Sequence, residues 1–285
     1  MNRIKKNILG KILNKLSVNK GDKIYLGIDL FKLASELKAN KINRYDFVDQ
    51  VLNFFLNKLG KSGSLIIPVF NFKCINEKKF NQKNSIGQSG ALGALLLKKY
   101  YKFRTGHPFY SFLCFGKKKY FYKKIKNFNA LGENSLWKYF IKDNFQLVTL
   151  GHHYTRSFTH VHYLERLAKV KYRYDKNFSF VYTDIYNKTR KKTYSLFVRK
   201  KNLCEYSALT KNCDRYLINN NFVKFYRYKK LICFKMDIKS SSKIIFEDLI
   251  KKSPKFVSVL KKNKKNTDII GHKNIAQIET MYMKK

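Results

Sequence analysis

Histidine is scarce in this chain of 285 residues: there are six, and five of them lie between positions 107 and 162. The densest run is Gly151-His152-His153-Tyr154-Thr155-Arg156-Ser157-Phe158-Thr159-His160-Val161-His162-Tyr163-Leu164-Glu165. Within it His162 and Glu165 stand three apart, so on a helix they share a face. A carboxylate that orients an imidazole and supports its charged form makes a general base near neutral pH. The same spacing also serves an ordinary ion pair on a polar helix face, and spacing does not separate the two. Zinc is the rival use for clustered histidines. There is no HExxH pattern, and His160 and His162 sit two apart, on different sides of a helix, whereas zinc ligands must converge. No metal site is expected.

Other residues invite chemistry less strongly. His107 precedes Pro108, which holds it extended and suits a side chain aimed into a cleft, or merely a loop entering the next strand. Cys114 lies in an apolar strand pattern, where a thiol is usually inert packing. Gly87-Gln88-Ser89-Gly90-Ala91-Leu92-Gly93 places glycines at a helix start, where backbone amides can hold an anion. It lacks the Lys-Ser/Thr of a P-loop. The five cysteines are scattered and odd in number, and they are expected to be reduced thiols.

The elements that must carry these residues alternate. Apolar spacing at Ile4, Ile8, Ile12 and Leu16 predicts an amphipathic helix in the first 20 residues. Strands are predicted over Lys23 to Ile28, Ser64 to Phe70, Tyr110 to Gly116 and Gln146 to Gly151. Helices are predicted over Asp46 to Leu59, Ser89 to Tyr100, Ser135 to Lys142 and Thr159 to Lys169. This alternation predicts a layered α/β/α domain, with ligands at the C-terminal ends of the strands. Beyond Tyr172 the texture becomes antiparallel: a hairpin over Phe178 to Tyr186 and Thr193 to Val198, then a helix over Ser207 to Asn219. Strands over Phe222 to Tyr228 and Leu231 to Met236 follow, with a last helix over Phe246 to Lys252. The expectation is a single domain with its core over about residues 20 to 255, and a loosely held Lys- and Asn-rich tail over 256 to 285.

Composition narrows the classes. A chain 44% hydrophobic and 16% aromatic can bury a real core, which excludes disordered and collagen-like readings. No apolar run reaches membrane-helix length and no signal-peptide block opens the chain, so a cytoplasmic protein is expected. Sixty-one Lys+Arg against 18 Asp+Glu give a net charge of +43. Only ten of the 61 are Arg, and Asn, Ile, Phe and Tyr are abundant, as AT-rich codons favour. The charge is therefore first a matter of composition. It still attracts phosphate-bearing ligands at low salt, and it is compatible with contact at an anionic membrane surface. A specific nucleic-acid partner would need a recognisable module or a basic-aromatic stripe, and Lys is spread evenly.

Taken in order, the motifs resemble the aminoglycoside 3-N-acetyltransferase family, and more closely its relatives found among surface-polysaccharide genes. The series is Gly21-Asp22, Leu65-Ile66-Ile67-Pro68-Val69-Phe70, Phe80, Gly90-Ala91-Leu92, Arg104-Thr105-Gly106-His107-Pro108, Gly132-Glu133-Asn134-Ser135, Gly151, Thr159-His160-Val161-His162-Tyr163-Leu164-Glu165 and Tyr172-Arg173-Tyr174. It runs from about residue 20 to 175, with a fainter echo at Phe197-Val198-Arg199. The resemblance implies transfer of an acetyl group from acetyl-CoA, as co-substrate, to a sugar amine. It places the family's helix histidine on His162 and its acidic partner on Glu165.

The sequence departs from the family at three points. The first strand usually ends His-Ser-Ser/Thr-Leu against the pantetheine arm, and here it reads Gly27-Ile28-Asp29-Leu30. Tyr110 stands where a second histidine is usual, and His153-Tyr154-Thr155-Arg156 replaces a polar run. These changes turn the expected acceptor from an antibiotic toward an amino sugar of a cell-surface glycan. Around coenzyme A the expected residues are Asp29, Phe70, Arg104, His107, Ser111 and Arg156. Backbone amides near Phe70 to Phe72 or Ser111 would face the developing oxyanion, and Arg104 and Arg156 would hold phosphate. Direct transfer is expected, since no nucleophile stands out. Two other readings stay open: an inactive family member acting in binding or assembly, and a basic nucleic-acid-binding protein. Homodimerisation also stays open.

Overall fold

The computed structural model describes residues 6–39, 41–260, 279, 282 and 283. Helix α1 (Lys6–Lys15) leads into strand β1 (Lys23–Ile28), α2 (Leu30–Glu36), α3 (Arg44–Leu59) and β2 (Ser64–Pro68). Short α4 (Cys74–Glu77) and β3 (Lys79–Asn81) precede α5 (Ala91–Tyr100), β4 (Phe112–Gly116), α6 (Lys119–Lys124), α7 (Leu136–Lys142) and β5 (Gln146–Leu150). Next come α8 (Val161–Leu167), β6 (Arg173–Thr183), β7 (Thr189–Arg199), β8 (Tyr206–Leu209) and α9 (Lys211–Asn219). The remaining elements are β9 (Val223–Tyr228), β10 (Leu231–Asp237), α10 (Ile238–Leu249) and β11 (Val257–Leu260).

The main sheet has six strands in the order β4-β2-β1-β5-β10-β9. β1 runs parallel to both β2 and β5, while β4, β10 and β9 add antiparallel edges. Its central strands β1, β2 and β5 are largely buried and apolar on both faces, as a sheet covered on both sides must be. Ile24, Leu26, Leu65, Ile67 and Val148 point to the layer of α1, α2, α3 and α5. Tyr25, Ile66, Cys114, Leu147 and Phe234 point to the layer of α7, α8, α9 and α10. The layered α/β/α expectation thus holds. The connection from β1 goes to β2 on one side, and the chain later returns to β5 on the other. β1 is therefore the place where strand order reverses, and its C-terminal end opens a crevice.

The antiparallel part is larger than the sequence pattern predicts. β6 and β7 pair over eleven residues each, from Arg173↔Arg199 to Thr183↔Thr189, and β3 joins β6 in parallel. Asp184 closes the hairpin by accepting from the Tyr186 and Lys188 amides, and Asn187 takes the left-handed conformation. The helix predicted from Ser207 starts only at Lys211. Thr210 caps it by accepting from the Cys213 amide, and the residues before it pair with β11 instead. The last helix begins earlier than predicted, at Ile238, capped by Asp237. The serines 240–242 hide that start from a hydrophobic pattern, because Ser241 and Ser242 are buried polar residues on the inward face. The predicted helix start at Ile4 lies outside the described residues. So does most of the tail, but Val257–Leu260 pairs with Tyr206–Leu209, and Glu279 and Tyr282 are buried. The five cysteines are free and buried. No helix among the described residues is long and apolar enough to cross a membrane.

Candidate active site

β5 ends at Leu150, and Gly151 turns the chain with φ of 89°, in the left-handed region. A Cβ there would also come within 2.9 Å of Asp29 Cβ, so the turn needs glycine twice over. The chain then crosses the C-terminal edge of the sheet and enters α8. One turn of that helix brings His162 Nδ1 to 2.7 Å from Glu165 Oε2. Glu165 is fully buried, whereas His162 remains 23% exposed. The carboxylate is held on every side: Tyr172 donates its hydroxyl to Oε1 at 2.9 Å, and Arg173 Nε lies 2.7 Å from Oε2. Arg173 in turn donates to Ser207 Oγ at 2.8 Å.

The electrostatics follow from this packing. Burial alone would raise the Glu165 pKa, but the adjacent His162 and Arg173 outweigh it and hold the carboxyl down at about 2. Glu165 is therefore an acceptor, and the proton in the contact sits on His162 Nδ1. Burial, and after it the Arg173 guanidinium, lower the His162 pKa more than Glu165 raises it. The ring is neutral at pH 7 and its basic nitrogen is Nε2. An oriented, neutral imidazole beside a fixed carboxylate can take a proton from a substrate.

Three clefts surround this pair. One of about 560 Å³ lies at the ends of β1 and β2, where Asp29, Phe70 and Arg156 form part of its wall. Its floor depends on Gly27: a Cβ there would sit 2.2 Å from Ser157 Oγ, which bonds His152 Nε2 at 2.8 Å. A smaller cleft of about 190 Å³ holds His162 and shares Arg156 and Thr159 with the first. The third, of about 670 Å³, is lined by Tyr110, Arg173 and Arg199 and shares Phe72 with the first.

The expected residues thus divide. His162 and Glu165 come together, and Asp29, Phe70 and Arg156 share the strand-end cleft. Asp29 caps α2 by accepting from the Lys32 amide, and Arg156 pairs with Glu279 at 3.0 Å. Arg104, expected to hold phosphate, is instead fully buried. Its guanidinium bonds Ser111 Oγ and the carbonyls of Gln82, Ser85 and Val69, and stacks over Phe80. Four hydrogen bonds to protein and full burial leave it closed to a phosphate in solution. Ser111 is likewise enclosed, donating to the Val69 carbonyl at 2.7 Å. His107 is packed among Phe109 and Tyr194, and burial pushes its pKa down to about 3. These three tie loops into the core and do not line the strand-end cleft. The amides of residues 70 to 72, expected to serve an oxyanion, are occupied too: Phe70 donates to Ser89 Oγ, Asn71 to the Phe109 carbonyl and Phe72 to Gln88 Oε1.

Sequence reasoning gave no role to Tyr172 and Arg173, although both stand in the Tyr172-Arg173-Tyr174 motif. Their partner Glu165 is seven and eight residues away, beyond helical spacing, so only the fold shows the contact. Among the described residues no group of three or more His, Cys, Asp or Glu is placed to hold a metal ion.

A layered α/β fold that sets a histidine–carboxylate pair beside a strand-end cleft has the parts of a site able to move a proton to or from a bound ligand. The family model for aminoglycoside 3-N-acetyltransferases matches residues 39–237, more than half of the chain, and the chain belongs to that family. It is an acyltransferase, and the enzymes of this family use acetyl-CoA. The fold is similar to that of sisomicin-bound AAC-VIa, with a TM-score of 0.67, 16% identity, and coverage of 87% of this chain and 98% of that one. It is similar to AAC-IIIb in binary complex with CoASH, with a TM-score of 0.65 and 13% identity over 85% of this chain and 94% of that one. It is also similar to the YokD protein from Bacillus subtilis, with a TM-score of 0.67 and 15% identity over 88% of this chain and 95% of that one. Among curated proteins nothing matches.

Proposed function

We propose that this protein is an acetyl-CoA-dependent N-acetyltransferase acting on an amino sugar, a precursor of a surface glycan, by direct transfer with His162 as general base. The observation that carries this reading is the pair His162–Glu165, with Nδ1 fixed by the buried carboxylate and the ring open to a cleft. The strand-end cleft, of about 560 Å³, supports a place for the co-substrate: Gly27 and Gly90 add no side chains to a wall that carries both Arg156 and Asp29. Acetyl-CoA supplies the acetyl group as a thioester, so the amide N–C bond forms as the C–S bond breaks, and coenzyme A leaves as a thiolate that takes up the second proton lost by the nitrogen.

The chain's own residues do the rest. His162 Nε2 takes a proton from the acceptor ammonium, which makes the nitrogen a nucleophile. Glu165 keeps the proton-bearing nitrogen of the ring turned inward and stabilises the imidazolium as it forms. Tyr172 and Arg173 hold Glu165 in that position. No thiol competes as a nucleophile. Cys204 lies at the third cleft, but burial raises its pKa, and burial pushes the Cys114 thiol up as well. The test is purified protein with radiolabelled acetyl-CoA and a panel of amino sugars, free and nucleotide-linked. Label should pass to an amine and stay there under mild base. No labelled product with any amine, in a protein that binds no acyl-CoA, removes the reading.

A further inference from the structure

The third cleft differs in charge from the acceptor that the family name suggests. An aminoglycoside carries several ammonium groups at neutral pH. The cleft of about 670 Å³ presents Arg173, Arg199 and Lys201 against a single carboxylate, Glu205. Arg173 is largely occupied by Glu165 and Ser207. Arg199 and Lys201 are exposed, and neither makes an ion pair among the described residues. Arg173 Nε and His162 Nδ1 each lie 2.7 Å from the same carboxylate oxygen, Glu165 Oε2, and Arg199 is the cross-strand partner of Arg173, so the arginine wall of this cleft stands next to the base. Phe72 and Tyr110, in edge-to-face contact with each other, add an aromatic wall that suits a sugar ring.

We infer that the acceptor is an amino sugar carrying phosphate, with the phosphoryl group held by Arg199 and Lys201 and the amine turned toward His162. This rests on the transferase reading above and deepens it by naming the substrate class. The charge has two consequences. It attracts a phosphate through paired and point-charge contacts, for which Arg and Lys are suited. It also disfavours an ammonium close by, so the acceptor amine is held in its neutral, nucleophilic form more readily than it would be in water. A polycation gains the second effect but is repelled as a whole. The phosphate source is either a sugar phosphate or a nucleotide-linked sugar, and the two have the same recognising chemistry.

The experiment compares four acceptors with the full chain and radiolabelled acetyl-CoA: a neutral amino sugar, its 1-phosphate, its uridine-diphosphate conjugate, and sisomicin. The phosphorylated forms should exceed the neutral sugar in kcat/KM by about tenfold or more, and the advantage should shrink as salt rises. A conjugate better than the 1-phosphate assigns the nucleotide form; equal rates assign the sugar phosphate alone. The Arg199→Glu/Lys201→Glu variant should raise KM for the phosphorylated acceptors by about ten- to a hundredfold. Coenzyme A binding by calorimetry should not change, since neither residue lines the strand-end cleft. Turnover of sisomicin or the neutral sugar at equal or higher kcat/KM, unmoved by the double variant, overturns the inference while the transferase reading stands. Calorimetry of the coenzyme A-bound protein showing no heat with any phosphorylated acceptor also overturns it. Loss of both acetyl-CoA binding and turnover with every amine overturns the transferase reading itself.

Discussion

His162 Nδ1 and Glu165 Oε2 lie 2.7 Å apart, and the two ends of that contact see different surroundings. The carboxylate is sealed from solvent by Tyr172 and Arg173, while the imidazole edge is partly open to a cleft. A sealed anion orients a ring without competing for the substrate. A partly open ring can exchange protons. Burial, and after it the Arg173 charge, lowers the proton affinity of that ring and so favours the neutral form a base needs.

The pH profile should show this. The His162 pKa is lowered from its ordinary 6.5, so kcat/KM should stay level as pH falls through 6.5 and decline only below it. The sign is fixed: the active form is the deprotonated one, and burial and Arg173 favour it. An acid limb centred above 6.5 would mean that Glu165 dominates and that the ring is largely protonated at neutrality. Steady-state rates between about pH 5 and 8 decide it.

Substitution separates the two partners. His162→Gln should lower kcat by about 10² to 10⁴ and abolish the acid limb, while coenzyme A affinity is retained. Glu165→Gln should cost less in rate. It also leaves Arg173 buried beside a neutral amide, so its unfolding temperature should fall where that of His162→Gln does not. Equal rates for His162→Gln and wild type would sink the base assignment.

Stability should depend on pH through other histidines. Burial lowers His107 and His160 to about 3 and His152 to about 4. Each binds a proton in the unfolded chain near 6.5 but not in the folded one, so the unfolded state gains protons first as pH falls. Folding stability should therefore be highest above 6.5 and decline steadily from 6.5 toward 4. Thermal melts across that window check the slope. A flat profile would show these rings to be protonated, and so hydrated, in the folded protein.

Much of this was legible in the sequence because it is local. Lys23–Ile28 reads as a strand since its Ile24-Tyr25-Leu26 run suits burial on both faces, and Asp46 to Leu59 reads as a helix from its apolar stripe and its closing Gly60. His162 and Glu165 share a helical face, so their spacing announces them. Arg104, Ser111 and His107 were misplaced because a polar residue that satisfies buried carbonyls looks the same in sequence as one that meets a ligand. Arg173 was passed over because its partner lies on a different element. The contact of Glu279 with Arg156 joins residues 123 apart, and no local pattern encodes it.

Gly27 offers a test of the strand-end cleft. A Cβ there would press on Ser157, whose hydroxyl bonds His152, and both side chains line the cleft. Gly27→Ala should weaken coenzyme A binding by about tenfold, as a local overpacking of about 1 to 3 kcal/mol displaces that wall. Adding Ser157→Gly removes the clashing atoms and should restore most of the affinity. Calorimetry on the single and double variants reads the coupling. Unchanged binding in Gly27→Ala would show that coenzyme A does not use this cleft.

His160 precedes α8 and lies two residues before His162, the proposed base, so it is the natural control, and its surroundings change what the control should do. Spacing alone turns it away from His162 and leaves its substitution harmless. In the structure its ring is fully buried among Trp137, Phe140, Phe158 and Tyr163. Neither ring nitrogen has a hydrogen-bond partner among the described residues, and burial holds the ring neutral, with its pKa down at about 3. It acts as an apolar filler beneath the helix that carries the base. His160→Ala should open a cavity and cost about 2 to 4 kcal/mol of stability, while the folded fraction keeps its rate. His160→Leu conserves volume, removes two unpaired polar atoms and should lie within about 1.5 kcal/mol of wild type. Denaturant melts, with rates measured well below the midpoint, separate stability from turnover. If His160→Leu folds as wild type yet loses activity by two orders of magnitude, the imidazole at 160 takes part in the reaction, and the base has to be reassigned.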